Sequence, residues 1–322
     1  MTADLIADAD QLLAAGRTAD ALALVQAQAA RSHPDALMRL ATWHLIGAPL
    51  PRDLAAARAW LARAADAGHV DAALMQVALV ANGSGAAADF AAARALLETA
   101  ALRDPVAAAQ LALVQAMALR PDGGPAALPA PLRLSPRHPV FRFPAFLTPA
   151  ECRHLAESAA PLLEPSQVAD PRTGQLMAHP VRTSSAATIG PTREDLAIRA
   201  INLRIAAASN TPVSHGEPLI VLHYGPGQQY RPHLDTLPNT PNQRGHSFLL
   251  YLNEGFGGGE TAFPLLDLTV RPKAGDGLLF LNSTPDGRPI TLSRHAGLPI
   301  TQGAKWLATR WIRCQPLNLW SQ

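Results

Sequence analysis

The stretch LIVLHYGPGQQYRPHLD, residues 219–235, contains an apolar run, a turn rich in Gly and Pro, and a His-x-Asp triplet. The apolar run has the length of a β-strand, and Gly and Pro interrupt it as they do at turns. Around Pro232 the chain again has the pattern of a strand, in which residues i and i+2 project to the same face. The imidazole of His233 and the carboxylate of Asp235 are therefore expected to lie side by side.

Three further apolar runs of strand length follow this stretch, separated by segments rich in Gly, Pro and Asn. They are SFLLYL, GLLFL and WLATRWI, at residues 247–252, 277–281 and 306–312. Several short strands joined by Gly-rich turns are typical of a β-sandwich or jelly roll. The chain from Pro218 onwards is therefore predicted to form a mostly β domain.

Two helices are predicted to precede these strands. Thr148-Pro149-Ala150-Glu151 has the order of an N-cap, a Pro at the first helical position and a capping-box Glu. The helix that begins here is expected to run towards Leu163. A second helix is predicted over about residues 193–208.

The first 119 residues have a different pattern. Ala and Leu recur at three- and four-residue spacing with few β-branched residues, which predicts helices. Asp53 recurs as Asp89 and Ala57 as Ala93, both at an offset of 36 residues. A fixed period of this size indicates stacked helical hairpins, each too small to bury its own apolar face. A generic Ala-rich helical bundle is the alternative.

A segment dense in Pro and Gly, PDGGPAALPAPLRLSPRHP, follows at residues 121–139. Such a composition cannot continue a helix and is typical of a linker. The sequence therefore predicts a helical repeat domain at residues 1–119, a linker at 120–139 and a second domain at 140–322.

Composition and charge exclude several classes of partner. The chain has 322 residues and a formal net charge of +2, with its 27 Lys and Arg residues scattered, so it lacks the basic stripe of a nucleic-acid-binding protein. The N-terminus is acidic, and no apolar run reaches the roughly 20 residues of a membrane span. Cys152 and Cys314 form no CxxC motif, which favours a reducing compartment. We expect a cytoplasmic protein with no nucleic-acid or membrane partner.

His295 is the natural candidate for a third ligand beside His233 and Asp235. Two imidazoles and one carboxylate on one face of an octahedral ion leave three positions open, as an oxygenase requires for a bidentate co-substrate and O2. The triplet alone is weak, because a chain with 11 His can contain one by chance.

Lys305 follows His295 by ten positions. An ammonium group inside an apolar barrel costs several kcal/mol unless an anion meets it. A Lys on the same β-face as metal ligands therefore indicates a carboxylate ligand, such as 2-oxoglutarate. The alternative is a Lys on the outward face of an edge strand.

Five segments together resemble the catalytic domain of prolyl 4-hydroxylases in order and spacing, over about residues 141–314. They are YGPGQQYRPHLD at 224–235, GGETAFP at 258–264, PKAGD at 272–276, HAGLPI at 295–300 and GAKW at 303–306. RTSS at 182–185 also resembles that family. The first 118 residues resemble tetratricopeptide-like repeats of the Sel-like subclass, through WLARAADAG at 60–68 and a weaker copy at 96–103.

These resemblances imply an α+β multidomain protein, in which an all-α repeat domain precedes a double-stranded β-helix, or jelly roll, with flanking helices. They imply three Fe(II) ligands, namely His233, Asp235 and His295. Lys305 would pair with the far carboxylate of 2-oxoglutarate, and Tyr224 and Thr261 would add hydrogen bonds. 2-Oxoglutarate and O2 would be co-substrates, with succinate and CO2 as products. Whether ascorbate is required stays open.

Three more positions match residues that face the substrate in the family and are candidates for a catalytic role: Tyr230, Arg244 and Trp311. The parity of the last strand agrees, because Lys305, Leu307, Thr309 and Trp311 share one face. Each residue also has a simpler interpretation. The two aromatic residues could belong to the core, and Arg244 could be a solvated turn residue.

The sequence departs from the family pattern in two places. The segment between Asp235 and Arg244 is short, so a long loop over the substrate is missing. Ser293-Arg294 precedes His295 where an apolar residue is often found, which puts a charge near the mouth of the site.

The function that the resemblance implies is hydroxylation of a prolyl residue in a protein or peptide. The helical repeats are expected to present that partner, because the concave surfaces of such repeats bind extended chains. One alternative keeps the chemistry but changes the substrate to a free amino acid or a biosynthetic intermediate. Another is a helical-repeat adaptor with a non-catalytic, sensory β-domain.

Overall fold

The computed structural model describes residues 2–169, 176–178, 181–271 and 273–321. Pro272, at the start of the PKAGD segment, lies outside the described residues. The chain divides into two compact units. One contains residues 1–123 and 191–200, and the other contains 124–190 and 201–322. The bounds of the three segments drawn from the sequence stay a prediction.

The described helices begin and end as follows: α1 Thr2–Ala14, α2 Thr18–Ala29, α3 Pro34–Ile46, α4 Leu54–Asp66, α5 Val70–Asn82, α6 Phe90–Ala101, α7 Pro105–Ala116, α8 Pro149–Ala159 and α9 Leu196–Ser209. Short 3-10 turns lie at Ala160–Leu162, Val213–His215, Pro264–Leu266 and Thr291–Ser293. Among the described helices, none combines the length and the apolar character that a membrane crossing requires.

The 36-residue period of the sequence corresponds to repeated helix starts. Asp53 and Asp89 cap α4 and α6, and each side chain accepts a hydrogen bond of 2.9 Å from the backbone N–H three residues on. Ala57 and Ala93, one turn into those helices, are fully buried. Each of α1 to α6 contacts the next helix in the chain. The prediction of stacked helical hairpins is confirmed.

The strands are short, and every pair of them is antiparallel. They are β1 Leu132–Arg133, β2 Val140–Phe143, β3 Glu164–Pro165, β4 Gln167–Ala169, β5 Leu176–Ala178, β6 Ser185–Ile189, β7 Leu219–Tyr224, β8 Tyr230–His233, β9 Arg244–Tyr251, β10 Gly257–Gly258, β11 Thr261–Phe263, β12 Leu268–Val270, β13 Gly277–Leu281, β14 His295–Gly297, β15 Ile300–Gln302 and β16 Lys305–Arg313.

The described part of the β-domain contains two large sheets of unequal size and two two-stranded sheets, β4-β5 and β10-β15. The main sheet has eight strands in the order β1-β2-β13-β9-β16-β7-β6-β3, and the minor sheet has four in the order β12-β11-β14-β8. The core lies between them, since Phe263 and Val270 of the minor sheet pack in one cluster with Leu249 and Phe280 of the main sheet. Two facing antiparallel sheets with this strand order form the predicted jelly roll, so the fold class is confirmed.

The local predictions hold with small shifts at the element ends. Helix α8 has the complete capping box of Thr148 and Glu151. Helix α9 begins three residues later than predicted, and the strand containing SFLLYL begins at Arg244. One expectation is wrong: β8 ends at His233, so Asp235 lies beyond the strand rather than in it.

Candidate active site

His233 and His295 face each other across two paired strands of the minor sheet. The antiparallel pairing of β8 with β14 places the two residues in register, with ring centroids 4.3 Å apart. Asp235 Oδ1 lies 3.4 Å from His233 Nε2, and Asp235 Oδ2 lies 3.7 Å from His295 Nε2. One potential ligand atom from each residue lies within 4.8 Å of the other two. The three side chains can therefore bind one metal ion together.

Backbone carbonyls orient both imidazoles. His233 Nδ1 lies 2.8 Å from Arg231 O, and His295 Nδ1 lies 3.0 Å from Ser293 O. Because a carbonyl only accepts, each Nδ1 carries the proton, and each Nε2 keeps its lone pair for a metal. Among the described residues, buried His233 Nε2 has no hydrogen-bond partner. A divalent cation would accept the lone pair of this atom, so the three side chains fit a metal ion.

The protonation states also suit a cation. Burial lowers the pKa of His295 to about 4, against the opposing attraction of Asp235, so the imidazole is neutral near pH 7. Burial alone would raise the pKa of Asp235. Attraction to His295 and His233, together with the hydrogen bond from Ser247, holds the pKa of that carboxyl below its usual range. The His295 imidazole and the Asp235 carboxylate are thus both in the state that binds a cation.

A cavity with an empty volume of about 410 Å³ contains these three side chains. Its wall includes four residues from alternate positions of β16, namely Lys305, Leu307, Thr309 and Trp311. Strand parity predicted that these four would share one face, and they do. The three candidate metal ligands and Lys305 thus line one cavity.

Lys305 is buried in this cavity, with 3% of its surface exposed. Its Nζ donates a 2.7 Å hydrogen bond to Gly259 O, and no carboxylate of the described residues forms an ion pair with it. Burial lowers the pKa of Lys305 to about 8, with Glu260 acting in the opposite direction. Strand β16 lies between β9 and β7. The alternative of a Lys on the outward face of an edge strand is therefore wrong.

Two tyrosine rings, those of Tyr224 and Tyr251, lie near the Lys305 ammonium. Tyr224 is its cross-strand neighbour, and the Tyr224 ring centroid lies 5.7 Å from Nζ. Burial raises the pKa of Tyr224 to about 12, so its hydroxyl stays protonated. Thr261 Oγ1 lies 2.8 Å from the hydroxyl of Tyr251, a residue that the sequence reasoning missed. Strand parity could have indicated it. Tyr251 lies two positions after Leu249 on β9 and so on the same face, and Leu249 lines the cavity.

Two of the three candidate substrate-facing residues line the same cavity. Tyr230 stacks on the His233 ring, with centroids 3.4 Å apart and planes 16° apart. Trp311 lies on the wall, and its buried indole Nε1 has no hydrogen-bond partner in the part of the chain that the structure describes. Arg244 is not on the wall but stacks on Trp311, with Cζ 3.7 Å from the ring centroid.

Arg244 is not the solvated turn residue of the alternative interpretation. Glu217 Oε1 and Oε2 accept hydrogen bonds from Arg244 Nε and Nη2 at 2.7 and 2.8 Å. Glu217 also accepts from Arg313 Nε at 2.5 Å. The side chains of Glu217 and Arg244 are 9% and 15% exposed, so this bidentate pair is largely shielded from water. The sequence carried no signal for Glu217.

One side chain, that of Gln243, forms hydrogen bonds within the short segment between Asp235 and Arg244. The buried side chain of Gln243 accepts from Leu237 N at 2.8 Å and donates to the carbonyls of Leu237 and Thr240. Arg294, before His295, is exposed and donates to Pro232 O at 3.2 Å. The segment is thus held in one conformation, and the predicted positive charge lies on the surface beside β8.

Comparison with known proteins identifies a family for each part of the chain. Residues 219–313 match the model of the 2OG-Fe(II) oxygenase superfamily. Residues 34–69 and 71–105 each match the Sel1 repeat. Enzymes of the oxygenase superfamily use Fe(II), 2-oxoglutarate and O2, so the second unit is an oxidoreductase domain.

Individual relatives show which family within the oxygenase superfamily the chain resembles. The chain is 40% identical over 202 residues to probable prolyl 4-hydroxylase 10 of Arabidopsis thaliana, a match that covers 55% of this chain and 69% of that protein. It is 37% identical over 197 residues to probable prolyl 4-hydroxylase 3 of the same plant, covering 54% and 68%. Among solved structures, a viral collagen prolyl hydroxylase of Paramecium Bursaria Chlorella virus-1 is 28% identical, with a TM-score of 0.44 over 54% of this chain and 95% of that one. The chain therefore belongs to the prolyl 4-hydroxylase family of 2OG-Fe(II) oxygenases and carries Sel1 repeats before its catalytic domain.

Proposed function

We propose that this chain is an Fe(II)- and 2-oxoglutarate-dependent dioxygenase that hydroxylates a prolyl residue in a protein or peptide. The observation that carries the proposal is one cavity lined both by His233, Asp235 and His295 and by the buried cation Lys305. The first three would hold Fe(II). Lys305 would pair with the far carboxylate of 2-oxoglutarate, with Tyr224 and Thr261 as hydrogen-bonding neighbours.

Bound iron, 2-oxoglutarate and O2 would together supply the oxidation, in which one oxygen atom goes to the substrate C–H bond and the other to succinate, with release of CO2. The chain's own residues bind and orient. The apolar wall formed by Leu222, Leu249 and Leu307 limits the access of water to the reacting groups. Lys305 fixes one end of the co-substrate, so that its keto-acid end is directed towards the two histidines.

We assign Tyr230, Arg244 and Trp311 to the substrate side. The unpartnered indole N–H of Trp311 suits a carbonyl acceptor, which every peptide substrate offers. Glu217 and Trp311 together hold the Arg244 guanidinium beside it. The names of the relatives, which are prolyl 4-hydroxylases, support proline as the residue that is modified.

We further propose that the Sel1 repeats dock the protein substrate. A groove lies within the helical unit, between the α4–α5 turn and α6. Its lining combines apolar surface with Gln76, Thr99 and Arg103, groups that can bind an extended main chain. A cytoplasmic location is supported by the two cysteines, which are both free thiols.

The test is succinate formation from 2-oxoglutarate with Fe(II), in the presence of proline-containing peptides and, separately, of free proline. The proposal expects peptide-dependent succinate together with a gain of one oxygen in the peptide, seen by mass spectrometry. The same assay with and without ascorbate decides whether ascorbate is needed. Turnover with free proline alone would favour the amino-acid substrate. Absence of succinate with every peptide and with cell extract would favour the non-catalytic adaptor.

A further inference from the structure

Two hydrogen bonds in series connect the Asp235 carboxylate to the interior of the main sheet. Ser247 Oγ donates to Asp235 Oδ2. Asn282 Nδ2 donates in turn to Ser247 Oγ over 2.8 Å. Asp235 is 4% exposed, and Ser247 and Asn282 are not exposed at all, so water does not compete for these bonds. Neither Ser247 nor Asn282 belongs to the candidate ligand set.

Chemistry fixes the direction of both bonds. An ionised carboxylate only accepts, so the single hydroxyl proton of Ser247 points to Asp235. Ser247 Oγ must then accept from its other neighbour, and the amide NH2 of Asn282 is the donor that it meets. Such a directed chain strengthens each bond in it, because each donor polarises the next.

The main chain holds Asn282 in turn. Asn282 N–H donates to Gly245 O at 2.8 Å, and Asn282 O accepts from Ile290 N at 2.8 Å. Asn282 follows β13 directly, and Ser247 lies on β9, where it pairs with Phe280. The support for the carboxylate therefore comes from β9 of the main sheet and from the residue that follows β13.

The two histidines take their positions from the other sheet. His233 and His295 are cross-strand partners in the minor sheet, whereas Asp235 lies two residues past the end of β8. Strand pairing therefore does not fix the Asp235 side chain. The bond from Ser247 supplies this constraint, and it links the two sheets at the candidate metal site.

We propose that Ser247 and Asn282 are positioning residues for metal binding. They occupy Asp235 Oδ2 and leave Oδ1, which lies 3.4 Å from His233 Nε2, as the oxygen that binds the ion. A carboxylate held in this way binds through one oxygen in a fixed orientation and keeps the other coordination positions free. This inference rests on the proposed function, because it presupposes that the site binds a metal.

Co²⁺ binding to the full chain tests the proposal without substrate, O2 or turnover. Calorimetric titration of wild type, Ser247→Ala and Asn282→Leu is expected to show affinity about 10- to 100-fold weaker in both variants. A matched pair at the same position isolates the hydroxyl. Ser247→Thr keeps it and Ser247→Val replaces it with a methyl group of equal size, so the Thr variant should bind Co²⁺ at least about 10-fold more tightly than the Val variant.

The control is a buried serine hydroxyl away from the site. Ser209 Oγ donates to Ile205 O at 2.8 Å, so Ser209→Ala should lower the melting temperature without changing Co²⁺ affinity. Equal affinities of the Thr and Val variants, or wild-type affinity in a folded Asn282→Leu, would overturn the positioning role while leaving the metal site intact. Failure of the wild type to bind Co²⁺ would instead contradict the proposed function itself.

Discussion

Asp235 and Lys305 are both buried charges that line the same cavity, but their surroundings differ. The carboxylate has two imidazoles and a serine hydroxyl beside it, and these neighbours hold its pKa below the usual range. The ammonium has one backbone carbonyl and no ion-pair partner among the described residues, and burial lowers its pKa to about 8. The protein's own side chains thus stabilise the Asp235 carboxylate. The surroundings of the cation suit an anion that arrives with the co-substrate.

The largest expected effect is at the anion. Asp235→Ala should abolish metal retention, because two imidazoles alone leave the ion without the charge that neutralises it. Metal content after anaerobic loading with Fe(II) and gel filtration measures this. Asp286→Ala removes an exposed carboxylate and serves as the control, which should retain the metal. Full iron retention by Asp235→Ala would contradict the assignment of Asp235 as a metal ligand.

The next effect is at the cation. Lys305→Met removes the charge but keeps the length of the side chain, and should weaken 2-oxoglutarate binding by about two orders of magnitude. Co²⁺ affinity in the absence of 2-oxoglutarate should change little, because Lys305 contacts none of the three candidate ligands. Calorimetry with each ligand separates the two. Wild-type affinity for 2-oxoglutarate in this variant would refute the assignment of Lys305.

A smaller, graded effect is expected from pH. The lowered pKa of Lys305 means that the free protein loses this proton near pH 8, so 2-oxoglutarate affinity should fall by up to about tenfold per pH unit above that value. Between about pH 8 and 10.5 the unfolded chain holds the proton more firmly than the folded one. The stability of the ligand-free protein should therefore rise across this window, by up to about 3 kcal/mol.

Denaturant unfolding at several pH values, with wild type and Lys305→Met compared, isolates this contribution from that of other groups. At low pH, Lys305→Met should have the larger free energy of unfolding, because wild type buries a charge. This excess should shrink as the pH rises from about 8 to 10.5. A difference that is flat from pH 7 to 11 would show that the Lys305 ammonium is not the group that titrates there.

The smallest effect is expected at the substrate side. Arg244→Ala should lower the yield of hydroxylated peptide per succinate formed by several-fold, because Arg244 stacks on Trp311. Arg244 also donates to the backbone carbonyl of Asp235 at 3.4 Å, but the substitution leaves the three candidate ligand side chains in place. Glu217→Gln should reproduce part of this loss, since it weakens the bidentate pair that holds Arg244. Quantifying both products in one reaction gives the ratio. An equal fall of succinate and hydroxylated peptide would argue against a role on the substrate side.

Much of the fold followed from local patterns in the sequence. The apolar runs became β7, β9, β13 and β16, because strand-length runs between Gly- and Pro-rich segments have few other ways to be buried. The capping box at Thr148 and the recurring N-caps at Asp53 and Asp89 are likewise readable, since each depends on residues three or four apart.

The site was less accessible from local patterns. The juxtaposition of His295 with His233 depends on the pairing of β14 with β8, across some sixty residues, so no local pattern fixes it. Ser247, Asn282 and Glu217 gave no signal, because a polar residue within or beside an apolar run looks the same whether or not a carboxylate or guanidinium later meets it. Their partners are set by the packing of the two sheets, which no short window of sequence encodes.

The most direct test of the central claim is anomalous X-ray diffraction at the cobalt edge from crystals grown with Co²⁺ and 2-oxoglutarate. We predict a single strong peak at about 2.0–2.2 Å from His233 Nε2, His295 Nε2 and one oxygen of Asp235, with a carboxylate of 2-oxoglutarate against Lys305 Nζ. A peak that lacks any one of these three ligands, or a 2-oxoglutarate molecule bound away from Lys305, would contradict it.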